Sequence, residues 1–123
     1  MAFLNDLVFD SGLSQLTSLG NKITITSQEV TTFTQGDVTY ALGSKTSVTI
    51  GSPADRTGGG RKVTVPAITG GTVSATGTAT HYAILDVANS RLLATGSLTA
   101  SQAVTNGNTF TLSTFDIGIP DPV

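Results

Sequence analysis

At 123 residues the chain has the size of a single domain, long enough to bury a core without a metal or a disulfide staple. A net charge of −2 gives no long-range field to attract nucleic acid or an acidic membrane surface. With no cysteine, a disulfide framework, a thiolate nucleophile and a zinc-thiolate site are all excluded.

Only 11% of residues are charged, against about a quarter in an average domain. Their place is taken by 22 threonines and 12 serines, beside 14 glycines. Threonine is β-branched and suits the solvent side of strands, whereas a surface helix normally carries Glu, Lys and Arg. The composition is that of an all-β protein. A surface so poor in charge is also easily desolvated, as one packed against other subunits must be. The opening MAFLNDLVFD lacks the basic and apolar regions of a secretory signal, and no run approaches the roughly 20 apolar residues of a membrane helix.

In chain order, Phe3, Leu4, Leu7, Val8 and Phe9 form an apolar patch, either a first helical turn or an edge strand. It can close over the domain's own core or dock on a neighbouring subunit. Asp10 and Ser11 are expected to cap a short helix carrying Leu13, Leu16 and Leu19, with Gly20-Asn21 as its stop. From Lys22 the pattern becomes strand-like, Ile23 and Ile25 on one side and Thr24 and Thr26 on the other. Further strands are predicted over residues 39–42, 47–50 and 62–68, the last demoted by Pro66 to an edge or bulged strand. Residues 72–80 are small and hydroxylic, a flat surface open to close approach by another backbone. Tyr82-Ala83-Ile84-Leu85 is a central strand; after the turn residues 86–91, Leu92-Leu93-Ala94 leads back. A polar stretch then leads to the tight turn Asn106-Gly107-Asn108, and strands follow at residues 109–112 and 115–119.

The expected fold is therefore all-β: an antiparallel β-sandwich, of jelly-roll or immunoglobulin-like meander type, with a short N-terminal helix. One domain spans residues 1–123, with 1–20 as its N-terminal apolar, helical segment. Tyr82, Ile84, Leu92, Phe110, Leu112 and Ile117 are the expected core.

Catalytic residue types are scarce. The chain has one His and one Glu, and general acid–base work needs ionisable groups brought together. His81, Asp86 and a serine make a triad on paper, but no serine lies in a G-x-S-x-G context. His81 is expected to bond a loop carbonyl or line a subunit contact. Residues 51–62 hold half of the basic residues and three consecutive glycines. Lys62 precedes Val63 and a strand, where a P-loop lysine precedes Ser or Thr and a helix. The segment reads either as a mobile surface loop or as one that orders on an acidic partner through Arg56 and Arg61. Asp86, Asn89 and Ser90 offer oxygens at a hairpin end but lack the carboxylate density of a calcium site. No enzyme, cofactor or metal is expected.

The order of parts resembles a family of small structural virion proteins of tailed bacteriophages. The resemblance runs through Ile25-Thr26-Ser27-Gln28-Glu29, Tyr40-Ala41-Leu42-Gly43, the block from Ala79 to Asp86, Leu92-Leu93-Ala94-Thr95-Gly96 and Gly107-Asn108-Thr109-Phe110. It implies a virion subunit made in the bacterial cytoplasm, with no catalytic residues to carry over. Two placements follow: a decoration protein (cement or head-fibre base) on the capsid exterior, or a neck, tail or tail-fibre component. The partners implied are the major capsid protein, other virion subunits and copies of the chain itself, with no nucleic acid and no membrane. The expected contacts are Phe3, Leu4, Leu7, Val8, Phe9, Arg56 and Arg61. A host-glycan-binding module is a third reading. It is disfavoured because there is no Trp and only Tyr40 and Tyr82 to stack on sugars.

Overall fold

The computed structural model describes residues 4–121. It is mostly antiparallel β, with one helix near the N-terminus. The helix, α1, runs Asp6–Leu19, and β1 is Lys22–Thr26. A single π-helical turn, Gln35–Thr39, leads into β2, Ala41–Thr46. There follow β3 (Ala54–Asp55), β4 (Arg61–Val65) and β5 (Ile68–Val73). The last four strands are β6 (Gly77–Asp86), β7 (Arg91–Val104), β8 (Thr109–Leu112) and β9 (Phe115–Ile119).

Six strands form one sheet in the order β7-β6-β1-β2-β5-β8, and β3-β4-β9 form a second. The larger sheet curls, so that Gln102 near the end of one edge strand donates its side-chain N–H to the backbone O of Thr111 on the other edge, at 2.9 Å. The main core brings together Ile23, Ile25, Ile84, Phe110 and Leu112 from the large sheet, Val63 and Val65 from the small one, and Leu13 and Leu16 from α1. Tyr82 and Phe115 join the two sheets through tilted rings with centroids 4.5 Å apart. Of the expected core, Ile84, Phe110 and Leu112 are buried, while Tyr82 and Ile117 are partly buried against it. Leu92 packs elsewhere, against a second cluster of Val30, Ala83 and Leu85 on the opposite face of the large sheet.

That second cluster changes the role of the threonines. Thr24 and Thr26 are fully buried, because the chain between β1 and β2 folds over their side of the sheet. Each hydroxyl is satisfied by a carbonyl of that covering segment: Thr24 Oγ1 donates to Gly36 O and Thr26 Oγ1 to Gln28 O, both at 2.7 Å. A buried hydroxyl without such a partner would be costly. The central strand is thus covered on both faces.

Several boundaries differ from those the sequence suggested. α1 begins four residues before Asp10: Asn5 is its cap, with Oδ1 accepting the Leu7 N–H at 2.9 Å. Asp10 and Ser11 lie inside the helix, and Ser11 Oγ instead donates back to Leu7 O. The stop at Gly20 is as expected, its N–H bonded to Leu16 O. Residues 47–50 are not a strand: Ser47 takes φ +57 and turns the chain away, while Ile50 still plugs the core. The predicted strand at 62–68 is two strands in different sheets, parted at Pro66, which offers no ladder donor. The polar stretch after Ala94 continues as β7, because β6 pairs along it as far as Val104. The turn at Asn106-Gly107-Asn108 is present, with Gly107 at φ +90.

Candidate interaction surfaces

The expected contact residues fall into two groups, one on or before α1 and one on the β3–β4 hairpin, and Arg61 links the two elements. α1 lies along β4, and its apolar side buries Phe9, Leu13 and Leu16. Phe9 therefore faces inward, at 2% exposure, and Leu4 is half-buried. Leu7 and Val8 point outward, 72% and 56% exposed. Phe3 lies outside the described residues. The outward pair is held firmly, since helix periodicity fixes its direction once Phe9, Leu13 and Leu16 are seated.

Arg61 ties the helix to the small sheet. Its Nε and Nη2 bond both carboxylate oxygens of Asp10, at 2.9 and 3.1 Å, and Nη1 bonds Asp55 at 2.6 Å. Asp6 stands 3.8 Å away. The Asp10 and Asp55 carboxylates raise the guanidinium well above its ordinary value, so it stays charged. A fork satisfied on both arms has little left for a partner, and Arg61 belongs to the internal structure. The bidentate geometry gives this contact direction as well as attraction.

Residues 54–65 form a hairpin in which Gly58, Gly59 and Gly60 all take positive φ. Arg56 N–H donates to Gly60 O and Gly59 N–H to Arg56 O, so the glycines close a tight turn and do not open into a phosphate cradle. The Arg56 guanidinium folds back on Gly59 O at 3.0 Å. It also borders a shallow cleft of about 390 Å³ with Thr57, Lys62, Asp116 and Gly118.

Within that cleft Asp116 accepts from Lys62 Nζ at 2.9 Å and from Thr64 Oγ1 at 2.7 Å. The Lys62 bond, then the Thr64 bond, hold its carboxyl below the usual value. A pKa lowered on folding contributes stability above the unfolded value of about 4, which is lost as pH falls through the folded value. Asp116→Asn should therefore lower the thermal midpoint at neutral pH. The gap to wild type should close on acidification, as read by scanning calorimetry; a gap that is independent of pH would contradict the assignment.

The paper triad does not form. His81 and Asp86 stand five residues apart on β6, roughly 16 Å along an extended strand. Asp86 is buried and accepts from Asn89 Nδ2 at 2.8 Å, closing the hairpin. His81 bonds no loop carbonyl. Its Nδ1 meets Thr80 Oγ1 at 2.8 Å and its Nε2 meets Ser97 Oγ at 3.4 Å. Thr80 already donates to Ser27 O, so the ring is satisfied with Nδ1 as donor and Nε2 as acceptor. A hydroxyl in the place of the orienting carboxylate gives an imidazolium no charge to lean on.

One further surface had no signal in the sequence. In the ladder with β6, Ala79 pairs with Gln102 and His81 with Ser97, so residues 98–101 bulge from β7. With β8 and β9 the bulge encloses a groove of about 520 Å³, lined by Leu98, Gln102, Leu112, Phe115 and Tyr82 among others. Desolvation raises the Tyr82 phenol above its ordinary value. A bulge depends on the partner strand's register, and no residue within 98–101 announces it.

Among the described residues no group of three His, Cys, Asp or Glu side chains is placed to hold a metal, and no helix is long and apolar enough to cross a membrane. Comparison of the chain with protein-family models, with curated proteins and with solved structures finds no match.

Proposed function

We propose that this chain is a non-enzymatic structural subunit of a tailed-bacteriophage virion, acting by protein–protein assembly, and that it decorates the capsid exterior. The observation that carries the assembly reading is the outward pair Leu7 and Val8 on a helix whose opposite side is locked into the core. Large apolar side chains held rigidly in water are a ready contact for a partner, since their desolvation on docking is favourable and little order remains to be imposed. The sparse surface charge supports the same reading. Its virion character rests on the order of sequence blocks from Ile25 to Phe110. Decoration is preferred to a neck, tail or fibre position because a small single domain with one anchored apolar patch suits attachment to a shell built by other subunits.

The patch also decides how the reading is tested. Deleting residues 2–9 would remove the Asn5 cap and the buried Phe9, so loss of function there would be uninformative. Leu7→Ser with Val8→Ser leaves the buried side of α1 intact and should change stability by no more than about 0.5 kcal/mol per site. The double variant, supplied in place of wild type during infection, is expected to fold normally and to be depleted from purified particles. Incorporation at wild-type occupancy would overturn the role given to α1.

A further inference from the structure

We infer that the free edge of β7 is a pairing surface for a second copy of this chain, strand against strand about a two-fold axis. The inference deepens the assembly reading, and for its biological role rests on it, by naming one partner and the surface that partner takes. β7 is the longest strand at 14 residues, and among the described residues its backbone is paired on one side only, with β6; on the other side the Gln102 side chain alone reaches a backbone carbonyl, Thr111 O of β8. An edge of that kind presents unpaired N–H and C=O groups, and proteins that remain monomeric guard such edges with lysine, proline or a covering segment. From Leu92 to Val104 there is no charged residue and no proline. The register irregularities lie at Leu93 and at residues 98–101, leaving Ala94–Ser97 in regular pairing with Ile84–His81.

Both faces of the sheet support the same occupant. Leu92 is only partly covered where it meets the second cluster, and Leu93, Ala94 and Leu98 are only partly covered where they meet the main core. Two cores thus run out at one edge, and a continuing strand would extend both. In an antiparallel pair centred on Gly96, the regular residues meet as Gly96 opposite Gly96 of the second copy and Thr95 opposite its Ser97, with Ala94 facing the start of the bulge at Leu98. Hydroxyl then meets hydroxyl on one face, and the small residues Ala94 and Gly96 let the two backbones approach on the other. Ala94 and Leu98 pack on the main core, and Gly96 lies against the Tyr82 ring, which packs there too. The two copies of Arg91, the strand's one charge, would stand about 33 Å apart along the strands, so nothing repels. A neutral edge selects no charged partner and is complementary to itself, as a two-fold interface requires.

The test is the mass of the purified full chain by sedimentation over a range of concentrations, with hydrogen exchange of the β7 amides measured alongside. Wild type should reach twice the 12.5 kDa of one chain, with exchange at residues 94–97 slowing as the dimer forms. Ser97 is exposed, and Ser97→Lys places like charges diagonally across the pair. It should sediment as a monomer with an unchanged far-ultraviolet spectrum, while Leu7→Ser with Val8→Ser should dimerise like wild type. A wild-type chain that stays monomeric, with concentration-independent exchange, overturns the inference whatever the variants do. So does protection of β7 that appears only when capsid protein is added. A monomer that still enters particles would leave the assembly reading standing, whereas a β7 dimer absent from particles would remove that reading and leave the pairing.

Discussion

Truncating Phe110 to alanine is expected to lower the unfolding free energy by about 3–5 kcal/mol, the usual cost of removing a buried aromatic ring, and so to take away a large part of the stability of a small domain. Phe110 sits on β8, the edge strand that closes one side of the large sheet, and is 3% exposed. Its ring fills space that two glycines leave open, Gly71 on the neighbouring strand β5 and Gly43 on β2 beyond it. The cavity left by truncation is bounded by backbone at those two glycines, so little side-chain collapse can fill it. Denaturant unfolding should show an earlier midpoint with a similar slope. A loss below about 1 kcal/mol would show that the ring is not the closure described here.

Gly71→Ala is the complementary experiment. A Cβ at residue 71 would fall onto the Phe110 ring, which faces it across the β5–β8 pair. Neither ring nor strand can shift without disturbing the core, and overpacking of this kind costs about 1–3 kcal/mol. The two sites touch, so their effects should not add: in a Phe110→Leu background the alanine at 71 should cost measurably less than in wild type. Equal costs in both backgrounds would mean that the methyl group is accommodated elsewhere.

The small and hydroxylic run over residues 72–80, together with Gly71 just before it, illustrates how far the sequence can be read. Its glycines do admit a close neighbour, but at Gly71 the neighbour is Phe110 of the same chain and at Gly77 it is Leu42. Composition announces the vacancy without naming the occupant. The strand from Tyr82 to Leu85 and the turn at Gly107 were legible because local chemistry decides them: an apolar run must be buried, and Asn-Gly accepts the backbone angles of a tight turn. The early start of α1 was also legible in principle, since Asn5-Asp6 is a cap followed by an acidic first turn. The apolar residues around it fit a separate patch equally well.

Other features depend on partners distant in sequence. Thr24 and Thr26 read as solvent-facing because their covering carbonyls, Gly36 O and Gln28 O, come from a connection with no strong pattern of its own. Arg61 read as a free cation in a loop because Asp10, its main partner, is 51 positions away. The same holds for the β7 bulge and its groove, which exist only through the register with β6. Among the expected contact residues within the described chain, those whose exposure follows from helix periodicity, Leu7 and Val8, remain available to a partner. Those whose surroundings are tertiary, Phe9 and Arg61, are taken up inside the domain.

The central proposal, that the chain is a multicopy subunit on the outside of a phage capsid, is tested most directly by labelling it at its C-terminus and imaging the purified virus particles produced in its presence. Label distributed over the head, at many copies per particle, is the expected result. Label confined to one vertex or to the tail would contradict decoration in favour of a neck or tail position. Particles that lack the protein altogether would contradict its being a virion subunit at all.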